Sequence, residues 1–259
     1  MLANALWVDV VSEPTGRDYV LWPGDGRPHP TGSFIPSTAI TIAADKRLQA
    51  SVFAACAVNT PETVLCETAS DVVAVIATRL DHRWVLKYPT GCGATGHRFI
   101  ADASEIPADW PTPYVLQQFI SLERPEVYRL YGVAGTLFGF NARRFPAGTT
   151  ASPWVAHARG ARYEHGEVAP AEALEQAERA LVATGLWSSF GCVDLLRSTD
   201  GRWLVLEVGT DGIVNHVDRE LGDQQVLDEL NRRLAEAFWQ PLGNPPWGRT
   251  WRYRTHQST

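Results

Sequence analysis

Apolar and polar positions along this chain switch repeatedly between a two-residue and a 3.6-residue period. "ALWVDVV" and "DYVLWPG" near the start read as short strands, and "GDGRPHPTGSFIPS" as a Gly/Pro-rich loop. Residues 44–57 predict a helix, "PETVLCE" an extended segment, and "SDVVAVIATRL" a second helix with Ser70 as its N-cap. "RWVLKYP" and "HRFIAD" predict strands on either side of a glycine-rich loop, and "PTPYVLQQFI" a buried strand carrying a polar pair. "EVYRLYGVAGTLFGFNARRF" predicts a hairpin turned at "AG". "FGCVDLLRSTDGRWLVLEV" predicts another, turned at "STDGR". Residues 170–184 predict a helix with Pro170 at its first position and Gly185 just past its end, and residues 221–239 an amphipathic helix. Strands and helices do not alternate strictly, so the class predicted is α+β with antiparallel sheets, not a doubly wound parallel sheet.

Composition narrows the function. The 259 residues suffice for one large domain or two small ones, and 45% are hydrophobic. A net charge of -6 argues against non-specific nucleic-acid or anionic-membrane partners, while leaving room for a local basic cleft. No apolar run reaches the about 18 residues of a membrane span. The opening "MLANALWVDVVSE" lacks a basic n-region and is interrupted by Asp9, so no signal peptide is expected. The four cysteines are scattered without a C-x-x-C pair, the usage of a cytoplasmic protein with reduced thiols and no zinc site. Of the ten tryptophans, Trp247 and Trp251 sit in a Pro/Arg-rich tail that they are expected to dock onto the body.

The chemistry concentrates in two places. In "WVLKYPTGCGATGHRFI", Gly91, Gly93 and Gly96 have G-x-G-x-x-G spacing. The loop is followed by a strand, so it is not a dinucleotide fingerprint; His97 follows Gly96, so it is not a P-loop. Lys87 precedes the glycines and no H-R-D or D-F-G follows, which excludes a protein kinase. The remaining readings are a plain glycine hairpin or a phosphate flap, with backbone N–H groups and Lys87 as a point charge. The second place is the hairpin carrying Asp194 and Glu207, each flanked by apolar residues. Each alone reads as a solvent-facing acid; paired, and together with Lys87 and the loop, they point to magnesium. Lys46, near a helix start, reads by itself as a surface lysine. Arg129 in an apolar strand needs an anion, either a ligand or Glu126 or Glu123. Arg143 and Arg144 are neighbours on a strand and must face opposite ways.

The order of these parts resembles the ATP-grasp superfamily of carboxylate–amine ligases, near its RimK-like and glutathione-synthetase-like branches. The similarity runs from about Asp45 to Asp218: "ADKRL", "WVLKYPTGCGATG", "PYVLQQFI", "EVYRLYGVAGTLFGFNARR" and "FGCVDLL…WLVLEVG". The resemblance implies two antiparallel-sheet subdomains sandwiching ATP, at residues 45–117 and 118–240, after a reduced α/β region at 1–44 and before a tail at 241–259. It implies that Lys46 and Lys87 contact ATP phosphates, that Gly91, Gly93, Thr95 and Gly96 close over them, and that Gln117, Gln118, Phe119 and Ile120 line the adenine and ribose site. Asp194 and Glu207 would bind Mg2+, and Arg129 with one of Arg143 and Arg144 would hold a carboxylate or acyl phosphate. The implied reaction joins a carboxylate to an amine through an acyl phosphate.

Three departures qualify the resemblance. Gln118 stands where the family commonly has an acid. Glu207-Val208-Gly209 replaces E-x-N, so a second metal would need Asp211 or Asn215. The short N-terminal region would leave the cleft open to a large substrate such as a peptide. Phosphoryl transfer to a stable product, or nucleotide binding without catalysis, are the competing functions, and a homodimer is a further expectation.

Overall fold

The computed structural model describes residues 2–13, 15–20, 32–91, 93–122, 124–210, 220 and 224–254. Its elements follow in the order α1 (Leu2–Leu6), α2 (Ser37–Ala44), α3 (Lys46–Ala55), β1 (Thr63–Cys66), α4 (Ala69–Thr78), β2 (Trp84–Lys87), β3 (His97–Ile100) and β4 (Tyr114–Gln118). Then come β5 (Glu126–Val133), β6 (Thr136–Arg144), β7 (Arg162–His165), α5 (Ala171–Ala183), β8 (Phe190–Arg197), β9 (Trp203–Gly209) and α6 (Gln225–Trp239). The strands form two antiparallel sheets, ordered β1-β4-β2-β3 and β7-β6-β5-β8-β9. The α+β expectation holds. The expected boundary at residues 117 and 118 falls at the end of β4.

Strand periodicity divides the first sheet's faces. Trp84, Leu86 and Leu116 pack with Val72, Val75 and Ile76 of α4. Val85, Lys87 and Gln117 face the other way, toward the second sheet. That second sheet is covered by α5, and the join is close. A Cβ on Gly132 would lie 2.3 Å from Leu181 Cδ1, and one on Gly191 2.6 Å from Leu181 Cδ2. Leu181 is itself fully buried. Gly132→Ala is therefore expected to overpack this join and cost about 1–3 kcal/mol, read as a lower denaturant midpoint at unchanged slope.

Both predicted hairpins form. Ala134 and Gly135 turn the first with φ of 45° and 79°. The helix predicted at 170–184 forms from Ala171, with Pro170 in extended geometry as its N-cap instead of its first turn, and Gly185 ends it at φ 75°. In α4 the N-cap is Thr68, not Ser70: Asp71 three residues on completes a reciprocal capping box. The helix predicted at 221–239 is Gln225–Trp239; residues 221–223 lie outside the described residues.

The N-terminal reading needs correction. "ALWVDVV" is not a strand: Leu2–Leu6 is helical, Trp7 ends the helix at φ 57°, and the exposed Val10 and Val11 pair with nothing among the described residues. Of "DYVLWPG", Asp18–Val20 contribute one isolated bridge, Asp18 to Ser33, and residues 21–24 lie outside the described residues. Helix α2 lay unread in "STAITIAA" because its β-branched residues mask its helical character. Burial compensates, since Ile35, Ala39 and Ile40 join one core with Leu6, Phe190 and α6. Strand β7 was also unread. The tail docks as expected: Trp247 and Trp251 pack against this core, and Trp251 Nε1 donates to Ala5 O at 3.0 Å.

Candidate functional site

A cleft with about 940 Å³ of empty space, continuous with solvent, lies between the sheets. Lys87, Val85 and Gln117 enter it from the first sheet; Arg143, Val127, Asp194, Leu196, Leu206 and Glu207 enter from the second. Gln118, Phe119 and Ile120 line it where the chain passes from β4 toward β5. That passage is anchored by Gln118 N donating to Glu62 O at 2.8 Å and Phe119 N to Arg83 O at 2.7 Å.

Lys87 is 8% exposed. Burial pushes its ammonium down to about 8; Glu207 across the cleft resists the shift and Lys46 adds to it. Lys46, which alone reads as a surface lysine, is brought to the cleft by its helix start. Asp45 caps α3 by accepting from Arg47 N at 2.8 Å. Lys46 N donates to Pro89 O at 2.9 Å and its Nζ to Gly91 O at 2.8 Å. The loop therefore lies over both lysines. Gly91, at φ 102°, takes a conformation other residues resist. Gly96 has no room for a side chain: a Cβ would sit 2.3 Å from Tyr88 Cβ, because Tyr88 N donates to Gly96 O across the base of the loop. Gly93 and Thr95 also line the cleft.

A segment that pattern reading passed over closes the loop from the other side. Trp154, between β6 and β7, meets His97 at 5.3 Å, Phe99 at 4.7 Å and Phe119 at 5.8 Å between ring centroids. Arg159 Nη2 donates to Ala94 O at 3.1 Å. A lone tryptophan in an irregular segment gives no periodic signal. His97 was readable only as a residue on the same face as Lys87, its Cα partner across the ladder.

On the far wall, Asp194 and Glu207 are Cα partners across β8 and β9. A bulge follows immediately: Leu195 pairs with Val205, so the extra residue Leu206 and Glu207 both line the cleft. Asp194 is held by two guanidiniums. Arg129 Nε meets its Oδ1 at 2.8 Å and Nη2 its Oδ2 at 3.1 Å, and Arg143 Nη2 also donates to Oδ2. Burial pushes the Asp194 carboxyl up, but Arg129 and Arg143 outweigh it and hold it down at about 2. Arg129's partner is thus Asp194 and not Glu126, which belongs to Arg144; Glu123 lies outside the described residues.

The opposed neighbours behave as period-two geometry requires. Arg143 enters the cleft, whereas Arg144 turns to the outer face and pairs with Glu126 and Glu164. The sequence expectation that included Arg144 in the site is corrected accordingly. Arg144→Ala is expected to leave affinity for inorganic tripolyphosphate within about twofold, whereas Arg143→Ala weakens it about tenfold, the worth of one charge-assisted contact. Titration calorimetry on both variants checks this.

Three cations (Lys46, Lys87, Arg143) thus line the cleft with two carboxylates, while Arg129 bonds Asp194 and Arg159 bonds the glycine loop behind it, in a chain of net charge -6. Such a cleft favours a polyanion. No group of three or more potential metal ligands occurs among the described residues, and Asp211 and Asn215 lie outside them. Glu207 forms no ion pair within 4 Å among the described residues. It is thus an open carboxylate, which fits a magnesium ion taking its remaining ligands from phosphate and water, whereas both Asp194 oxygens already accept from guanidiniums.

A sequence profile of the ATP-grasp domain matches residues 43–210. No curated protein matches the chain. Solved structures do. The ATP-grasp ligase PsnB, complexed with minimal precursor, has TM-score 0.60 at 16% identity, over 82% of this chain and 65% of that one. The D-cycloserine synthetase DcsG has TM-score 0.59 at 21% identity, over 81% and 75%. The macrocyclase MdnC from Microcystis aeruginosa MRC, bound with precursor peptide MdnA, has TM-score 0.57 at 14% identity, over 81% and 65%. The chain spans just under two thirds of the length of PsnB and of MdnC, and at these identities the likeness is one of fold. With the profile covering well over half the chain and the cleft built from the parts it spans, the protein belongs to the ATP-grasp family.

Proposed function

We propose that the protein is an ATP-dependent carboxylate–amine ligase acting on an amino acid or peptide, with the halves 45–117 and 118–240 closing on ATP. The observation that carries this reading is the convergence of Lys46, Lys87 and the glycine loop on one wall with Glu207, Asp194 and Arg143 on the other. Lys46 and Lys87 bind and orient the phosphates of ATP, and the loop covers them with backbone N–H groups. Gln117, Gln118, Phe119 and Ile120 receive the base and ribose. Arg143, steadied with Arg129 through Asp194, faces the carboxylate that attacks the γ-phosphate. Glu207 would hold Mg2+, with Asp194 joining it only by giving up an arginine contact, and the ion when bound supplies charge neutralisation at the transferring phosphoryl group. The carboxylate's attack gives an acyl phosphate and releases ADP; an amine then attacks the acyl carbon, loses a proton and displaces phosphate, leaving the amide. Trp154 and the loop exclude water that would hydrolyse the acyl phosphate. The peptide class draws on PsnB and MdnC, solved with precursor and precursor peptide.

A second reading, nucleotide binding without turnover, draws on two observations: Asp194 is already neutralised by two arginines, and Gly209 offers no ligand atom. Incubation with MgATP and pools of amino acids and peptides separates the readings. Substrate-dependent phosphate release with a product lighter by one water than its two parts supports the ligase. A stable phosphorylated product supports a kinase, and binding without turnover across the pools supports the second reading. Glu207→Ala is expected to lower turnover at least 100-fold without unfolding the protein, a loss on the order of that for one transition-state contact. Wild-type rates in that variant would remove Glu207 from the site.

A further inference from the structure

The His97 ring makes no hydrogen bond among the described residues, yet His97 lines the cleft. It is on β3 directly opposite Lys87, and the Trp154 ring stands against it edge-on, at 75°. Every element around it bears charge. Lys87 comes from β2, Lys46 from the start of α3 and Arg159 from the segment after Trp154; Asp194 and Glu207 face from the far wall. Burial, then Lys87, Lys46 and Arg159, hold the imidazole far below its ordinary range, at about 2. A ring in that setting is neutral and offers no charge to an anion. A polyphosphate between those cations reverses the local field, and the same position then favours the imidazolium.

We propose that His97 is the charge-sensing positioning residue of the phosphate site: neutral in the free cleft, it takes a proton from solvent when a polyphosphate binds and donates a ring N–H to it. This rests on the reading of the cleft as a polyphosphate site. The only covalent change is protonation of one ring nitrogen. Near pH 6.5 Lys87 is already charged, so the difference in proton uptake there between wild type and His97→Gln reports His97.

The test uses the full chain with ¹⁵N-labelled histidine rings and inorganic tripolyphosphate as the probe. His97→Gln, which keeps a donor, identifies the His97 signal among the seven histidines. The expected result is a neutral ring from pH 7.5 down to 5 in the free protein and an imidazolium pattern at pH 6.5 with the probe bound. Calorimetry in two buffers should show about one more proton taken up by wild type than by His97→Gln. His97→Phe should bind the probe about tenfold more weakly, and His97→Gln less than threefold. A ring that stays neutral in the complex, or titrates near 6.5 in the free protein, overturns the proposal while leaving the phosphate site intact. Failure of wild type to bind tripolyphosphate overturns both.

Discussion

Replacing Lys87 with methionine is expected to lower turnover by at least 100-fold while raising the melting temperature of the free protein. The first effect follows from losing a fixed cation at the phosphates, worth on the order of 100- to 1,000-fold in rate. The second follows from burial. Lys87 is almost wholly enclosed, and its ammonium is shifted from 10.5 to about 8. Keeping it charged below pH 8 therefore costs the fold about 3 kcal/mol. Between pH 8 and 10.5 the unfolded chain holds this proton and the folded chain does not, so stability rises with pH across that window and the cost is fully present below it. Nucleotide affinity runs the other way and falls above pH 8, as the charge that binds phosphate is lost. Thermal scans from pH 7 to 10 check both signs: the wild-type melting point climbs relative to Lys87→Met, and the two converge. A melting point lower than wild type at pH 7 would contradict the placement of Lys87 as a buried, strained cation.

Asp194→Ala is expected to produce the largest stability loss in the cleft, about 3–5 kcal/mol. It strips the shared anion from Arg129 and Arg143 and leaves two guanidiniums facing each other. The loss is pH-dependent. The carboxyl titrates at about 2 in the fold against an ordinary 3.8, so its contribution is present above about pH 4 and is lost as pH falls toward 2. Urea unfolding of wild type and variant should therefore differ most near pH 6 and least near pH 2.5. The double variant Asp194→Ala/Arg143→Ala should recover part of the loss, because one of the two uncompensated charges is gone. A penalty below about 1 kcal/mol at pH 6 would mean that the ion-paired trio does not persist in solution.

How far the fold was legible depended on the range of the forces that set each element. The hairpins at Ala134–Gly135 and at the "STDGR" turn were readable because alternation and turn chemistry lie within about ten residues of each other. Helix α5 was readable from its own period, bounded by Pro170 and Gly185. The N-terminus was misread because "ALWVDVV" alternates while its partners lie far along the chain. Trp239 Nε1 donates to Leu6 O at 2.6 Å and Arg254 N to Asn4 O at 2.9 Å, and those contacts hold it as a helix.

The site divides in the same way. Lys87, the glycine loop, Asp194 and Glu207 carry their chemistry in their immediate neighbours: a lysine before glycines, and acids inside apolar strands. The chain's local pattern therefore suffices for the order of elements from α3 to β6, the phosphate-type loop and the carboxylate hairpin. Packing across the sheets assigns Lys46 and Arg143 to the cleft, Arg144 to the outer face, both arginines' claim on Asp194, and Trp154 and His97 to the closing wall. Those assignments depend on strand register, a bulge at Leu206 and the approach of residues some sixty positions apart, as Trp154 and His97 are. Interactions of that range leave no periodicity in a sequence, because their geometry exists only once the two sheets face each other.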